Sequence, residues 1–131
     1  EVGLAGTIES NEGARYPMQW DREQWDMRFF SLYSRLGHLR KGNALFEHGT
    51  WHTEWCDETS VVFSRVHRSN GLLMILNRGE TERDLQLNLE HRKIAYAEQW
   101  ESGRRVPMQD GMLLWHLEPY KSSILLFSVR A

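Results

Sequence analysis

The sequence contains a single cysteine, Cys56, among 131 residues, so no disulfide can form within the chain. This scarcity favours a reducing compartment, and we expect the cytoplasm. Acidic and basic residues nearly balance, at 18 and 16, for a net charge of −2. Such a charge attracts neither nucleic acid nor an anionic membrane, and we expect neither as a partner. The longest apolar run, Ile124-Leu125-Leu126-Phe127, is far short of the roughly 20 residues that span a bilayer.

The sequence also lacks the common motifs of catalysis, including G-x-S-x-G, H-E-x-x-H and a phosphate-binding loop. Its carboxylate pairs fall in predicted turns or on solvated strand faces, where like charges are simply hydrated. These pairs are Asp57-Glu58, Glu80 with Glu82 and Asp84, and Glu98 with Glu101. None is persuasive as the facing acid–base pair of a glycosidase, so the residues alone leave the function unstated; we expect no cofactor.

One long helix is predicted at about residues 22–41. Apolar residues recur at helical spacing, Asp21 and Gln24 supply a capping pattern, and Gly42 supplies a left-handed terminator. The stripe consists of Trp25, Phe29, Leu32, Leu36 and Leu39. Large apolar residues also lie off this stripe, so the helix needs a partner that a small domain does not supply.

From residue 50 onward the pattern predicts short antiparallel strands. Leu85, Leu87 and Leu89 alternate with polar residues, as in a half-buried strand. Asn70-Gly71, between two apolar runs, predicts a hairpin turn. Further strands are expected at 61–66, 72–76, 94–96, 112–117 and 123–129. The fold class is therefore mainly β: an antiparallel β-sandwich preceded by a loop and one long α-helix.

Two segments are candidate binding sites. His48, His52 and Cys56 are spaced by four, but in a strand such residues lie about 13 Å apart, so we predict no metal site. Trp51 and Trp55 are candidates to stack on sugar rings, although core packing is the favoured interpretation of any single one of the six tryptophans. Exposed, coplanar tryptophans would favour sugar binding, and burial between the sheet and the helix would contradict it.

Several segments, in order along nearly the whole chain, resemble the C-terminal part of glycoside hydrolase family 13, the α-amylase family. Residues 14–21, Ala-Arg-Tyr-Pro-Met-Gln-Trp-Asp, are similar to the A-R-x-P-M-Q-W-(D/S) loop of oligo-1,6-glucosidase-like members and to the R-x-P-M-x-W-D of neopullulanases. The other matching segments are Glu1–Leu4, Leu36–Lys41, Asn43–Leu45, Leu76–Gly79 and Leu117–Tyr120. The Leu-Asn-Arg-Gly segment is more similar to the corresponding segment of neopullulanases and maltogenic amylases.

The resemblance implies that residues 1–46 are the tail of a catalytic (β/α)8 barrel and residues 47–131 its C-terminal sandwich, domain C. The family's catalytic carboxylates lie on earlier barrel strands, so no residue here inherits a catalytic role. Because the sequence starts at Glu1 rather than Met, we expect a piece of a longer enzyme that acts on α-glucans. The resemblance places Arg15 in a loop at the barrel's C-terminal face, where it either shapes the substrate cleft or fixes the loop through a salt bridge. Together with the two tryptophans chosen for sugar stacking, the candidate substrate-binding residues are Arg15, Trp51 and Trp55.

Of three roles, we predict the first and keep the other two as alternatives. The first is a supporting domain whose main partner is the rest of the parent enzyme, with no chemistry of its own. The second is a carbohydrate-binding module that takes maltooligosaccharide or starch on exposed tryptophans. The third is a dimerisation module in which the exposed helix face pairs with a second copy of the chain.

Overall fold

The computed structural model describes residues 2–6 and 17–130, which divide into two compact units, Glu1–Asn43 and Ala44–Ala131. The first unit holds a short 3-10 turn, Arg22–Gln24, and helix α1, Met27–Arg40. The second holds α2 (Ala44–His48) and strands β1 (Thr50–Cys56), β2 (Ser60–His67), β3 (Asn70–Asn77), β4 (Arg83–Asn88), β5 (Ile94–Gln99), β6 (Met112–Leu117) and β7 (Ser122–Val129), with a 3-10 turn at Glu90–Arg92. The division after residue 46 into parts of a parent enzyme stays a prediction. No helix among the described residues has the length and apolarity to cross a membrane.

Helix α1 is shorter at its start than predicted. The Asp26 side chain accepts a hydrogen bond from the backbone N–H of Arg28 at 2.9 Å and so caps the helix at that point. Trp25, just before it, is extended, and Asp21 caps only the 3-10 turn. The predicted start at residue 22 is therefore wrong, because the second aspartate provides a competing cap. The predicted end is confirmed, since Gly42 adopts a left-handed φ of 64°.

The second unit is the predicted antiparallel sandwich. One sheet has five strands in the order β1-β2-β3-β7-β5, and β4 pairs with β6 in the other. Leucines at alternate positions of β4 and β6 face the larger sheet, as the period-two pattern predicts. The core consists chiefly of Val62, Leu73, Ile75, Leu125 and Phe127 from the larger sheet and Leu85, Leu87, Leu113 and Leu117 from the smaller. Burial of these side chains between the two sheets is what holds the layers together.

The hairpin between β2 and β3 is present, but its turn is not at Asn70-Gly71. His67 pairs with Asn70, so Arg68 and Ser69 form the two-residue loop, with Arg68 at a φ of 54°. Gly71 lies instead inside β3, opposite Phe127 of β7. A Cβ atom at Gly71 would lie 2.1 Å from Cζ of Phe127, so glycine is needed there for close packing rather than for turning.

Asn77, in the Leu-Asn-Arg-Gly segment, ties the end of β3 to two loops. Its side chain is buried, and its Nδ2 donates to the carbonyl oxygens of Thr81 at 3.1 Å and Glu118 at 3.0 Å. Its Oδ1 accepts from the Ser60 hydroxyl and from the Gly79 N–H. One amide thus satisfies four polar groups where the chain enters and leaves the smaller sheet.

Candidate functional site

Strand β1, at an edge of the larger sheet, carries both tryptophans that the sequence singles out. Its pairing with β2 shifts between them, because Thr53 lies opposite Phe63 and Trp55 opposite Val62. Glu54 is therefore the extra residue of a β-bulge. In a regular strand, residues four apart share one face. The bulge turns Trp55 to the side of the buried Val62, whereas Trp51 stays on the opposite face, and the two indoles form no common platform.

Trp51 lies on the outer face of the sheet, stacked on Phe63. The two ring centroids are 3.8 Å apart and the ring planes differ by 21°. Trp51 is 53% exposed, whereas Phe63 is half-buried. The indole thus has one face against Phe63 and leaves the other to solvent, which is the arrangement of an aromatic stacking surface.

Trp55 is half-buried and packs against the core. The Arg83 guanidinium carbon lies 5.1 Å from the centroid of its ring, in cation–π geometry. Arg83 is held there by an ion pair with Asp57. These contacts occupy the ring of Trp55. Trp55 therefore packs on the core and against Arg83 and does not form a stacking surface.

Arg15, the third candidate, lies outside the described residues, and its role in substrate binding stays a prediction. His48 ends α2, while His52 and Cys56 lie on β1. Across residues 2–6 and 17–130 no group of three or more histidine, cysteine, aspartate or glutamate side chains could hold a metal ion.

Most of the neighbouring carboxylates that the sequence analysis names as pairs bind other groups of the protein. Asp57 accepts backbone N–H groups of Thr59 and Ser60, both at 2.9 Å, and the Thr59 bond is the main cause that holds its pKa below the ordinary value. Asp84 contacts His116 at 2.8 Å, and the Tyr96 hydroxyl donates to Glu98 at 2.6 Å. These contacts lie in a turn, between the paired strands β4 and β6 and along β5, and none of them pairs two carboxyl groups.

The bulge residue Glu54 is a polar centre that sequence reasoning missed. Its side chain is only 2% exposed and accepts hydrogen bonds from the Ser64 hydroxyl and from Arg92 Nε at 2.7 Å. His91 Nε2 lies 3.0 Å from its other oxygen. Burial raises the pKa of Glu54, but the Ser64 and Arg92 hydrogen bonds outweigh it and leave the pKa below its ordinary value. Alternation along β1 already places Glu54 on the side of His52 and the buried Ser64, but the sequence does not show which side chains it meets there, because Ser64 and Arg92 reach it only through the fold.

Known enzymes are similar to this chain in sequence and in fold. No family model matches the chain. It is 24% identical over 88 residues, 67% of its length, to a cyclomaltodextrinase of Thermoanaerobacter pseudethanolicus. In structure, 97% of the chain matches a cyclomaltodextrinase at a TM-score of 0.83 and 18% identity. The whole chain matches the α-amylase of Geobacillus thermoleovorans in its acarbose complex, at a TM-score of 0.80 and 11% identity.

The matched enzymes are much longer than this chain. The chain spans 15% of the curated cyclomaltodextrinase, and 22% and 28% of the two solved enzymes. The helix, the sandwich and their order along the chain all fall within the matched part. In motifs, in sequence and in fold, the chain thus resembles the C-terminal region of the α-amylase family, glycoside hydrolase family 13, and the predicted resemblance is confirmed.

Proposed function

We propose that this chain is the C-terminal supporting region of an enzyme that hydrolyses α-glucans. One observation carries the proposal: 97% of the chain matches a cyclomaltodextrinase in fold, at a TM-score of 0.83, and spans only 22% of that enzyme. The region then contributes a folded support, and the catalytic carboxylates are supplied by the barrel that it joins. The lone, exposed Cys56 supports a reducing compartment, such as the cytoplasm, for the whole enzyme.

The exposed apolar surface of α1 is further support for this proposal, because it indicates a large partner that covers the helix. No residue of α1 is buried, and four of its large apolar side chains are between 44% and 55% exposed: Met27, Phe29, Leu32 and Tyr33. An amphipathic helix buries such side chains against a neighbouring layer in a stable domain. The strands of a catalytic barrel are the partner that we propose for this face.

The test compares the chain alone with the gene product that contains it. We expect the isolated chain to release no reducing sugar from maltoheptaose, and the full product to do so. In the full product, the double substitution Phe29→Asp and Leu32→Asp should lower the melting temperature and the yield of active enzyme, because it places two charges against an apolar layer. The control is Ser31→Asp, which adds a charge at an exposed polar position of the same helix.

Two results would contradict this role. Hydrolysis by the isolated, purified chain would place catalysis within these residues. An unchanged melting temperature in the Phe29→Asp, Leu32→Asp double variant, with the Ser31→Asp control also unchanged, would mean that the α1 face has no such partner.

A homodimer is a second candidate, because the same exposed face of α1 could bury itself against a second copy. Sedimentation velocity of the 131-residue chain over a hundredfold range of concentration separates the two. A constant monomer mass leaves the barrel as the partner. A dimer that the Phe29→Asp, Leu32→Asp variant abolishes favours self-association.

A further inference from the structure

The stacked pair of Trp51 and Phe63 has the geometry of a binding platform that is assembled before any ligand arrives. Phe63 lies on β2, directly opposite Thr53, and Trp51 lies opposite Arg65. The two strands fix the backbone of both rings, and the 3.8 Å stacking fixes the tilt of the indole. Because both rings are already ordered, binding of a ligand to the free indole face costs the protein little conformational entropy.

The surroundings of Trp51 suit a neutral polyhydroxylated ligand. Thr53 is exposed on the same face of β1, two residues along. Arg65 is engaged by the protein, since its Nη2 donates to the Gly49 carbonyl oxygen at 3.2 Å and its guanidinium lies 5.9 Å from the Phe46 ring. Among the described strands, β1 is an edge strand, and such a strand presents backbone N–H and C=O groups on its open side.

The separation of Trp51 from Trp55 favours one class of glucan over another. A flat β-linked glucan makes its best contacts with a row of coplanar rings. The Glu54 bulge removes Trp55 from the face of Trp51, so the two indoles of β1 form no row of coplanar rings. An α-linked glucan curves, and it can lay the apolar C–H face of one glucose ring on one indole while its hydroxyl groups meet polar neighbours.

We propose that Trp51, backed by Phe63, is a stacking site for one glucose ring of an α-glucan. The choice of an α-glucan rests on the proposed function, whereas the platform itself rests on the geometry of the two rings. The site would hold substrate chains on the enzyme through contacts made by this region. It involves neither Trp55 nor a charged side chain.

The experiment follows the indole N–H signals of the 15N-labelled chain by NMR during titration with maltoheptaose. The Trp51 signal is assigned by its loss in Trp51→Phe. We expect that signal to shift and saturate in the millimolar range. Trp51→Ala should weaken binding about tenfold or more, and Phe63→Leu by a smaller factor, because the indole loses its backing ring. Trp20→Ala removes another exposed tryptophan, 79% exposed, and should bind as the unaltered chain does.

The outcomes separate the platform from its ligand. No saturable shift of the Trp51 signal, or unchanged binding by a folded Trp51→Ala variant, overturns the proposal while the supporting role keeps its own test. Binding of cellohexaose at Trp51 without binding of maltoheptaose overturns the assignment of an α-glucan and weakens the proposed function with it. Near-UV circular dichroism of each variant verifies the fold.

Discussion

Glu54 on β1 and Arg92, after β4, form a nearly buried ion pair, with Arg92 Nε 2.7 Å from Glu54 Oε1. The pair joins the bulge of the larger sheet to the segment that leaves the smaller sheet. It also explains how a glutamate is tolerated on the inner side of the sandwich, since both of its oxygens have donors.

Replacement of Glu54 by glutamine should destabilise the chain by about 2–4 kcal/mol, because Arg92 loses the carboxylate that pairs with it in a site closed to water. The urea midpoint measures the effect. Glu47→Gln is the matched control, since the Glu47 side chain is 56% exposed, and it should change little. Equal midpoints for the two variants would contradict the role of the pair.

The Glu54 carboxylate should also make the free energy of unfolding depend on pH. Its pKa is below the ordinary value in the folded chain, so the unfolded chain binds more protons as the pH falls through this range. The contribution of Glu54 is therefore complete above about pH 4.3, the ordinary glutamate pKa, and is lost as the pH falls through its folded pKa. Thermal melts between pH 6 and pH 3 should fall less steeply for Glu54→Gln than for the unaltered chain.

Gly71→Ala should cost about 1–3 kcal/mol, because the new methyl group would overlap the Phe127 ring. Adding Phe127→Leu should restore part of the loss, and this rescue distinguishes crowding from a general preference for glycine. Gly37→Ala, in α1 with no atom within 4 Å of the added Cβ, should instead raise helicity. Thermal melts followed by circular dichroism measure all three variants.

Asn77→Asp should destabilise the sandwich by about 2–4 kcal/mol. The substitution replaces an N–H2 group that serves two carbonyl oxygens by a carboxylate oxygen that faces them. Asn88→Asp is the control, since the Asn88 side-chain oxygen accepts the Glu90 N–H at 3.1 Å and aspartate preserves that bond. A loss of similar size in both variants, by urea denaturation, would show that the added charge alone is responsible.

His116 should titrate above the ordinary imidazole value. The hydrogen bond to Asp84 is the main cause that raises its pKa, with smaller contributions from Glu82 and Glu118. Its stabilising contribution is therefore present below the ordinary histidine pKa of about 6.5 and is lost as the pH rises through its folded pKa. An NMR titration of the ring should show the pKa falling in Asp84→Asn and falling less in Glu118→Gln.

The elements that the sequence predicts well are those in which the local pattern and the final burial agree. Leu85 and Leu87 alternate with polar residues and are buried on one face of β4. The start of α1 and the β2–β3 turn were misplaced for the opposite reason. Asp26 competes with Asp21 as a cap, and Gly71 is required by Phe127, which lies 56 residues further along the chain.

The candidate site was predictable only in part. Trp51 could be chosen from its residue type, but Phe63 beneath it could not, because the stacking depends on strand register. Likewise, Trp51 and Trp55 appear equivalent in sequence. The bulge at Glu54 puts them on opposite faces, and nothing in the local pattern marks that extra residue.

The sequence by itself determined the fold class, the alternating strands, the end of the helix and the resemblance to the α-amylase family, because local propensities and short motifs specify them. Tertiary structure alone decided which tryptophan is open to a ligand, where Glu54 finds its partners and why residue 71 must be glycine. Each of those outcomes depends on which residues face one another across paired strands, and that pairing joins positions far apart in the chain.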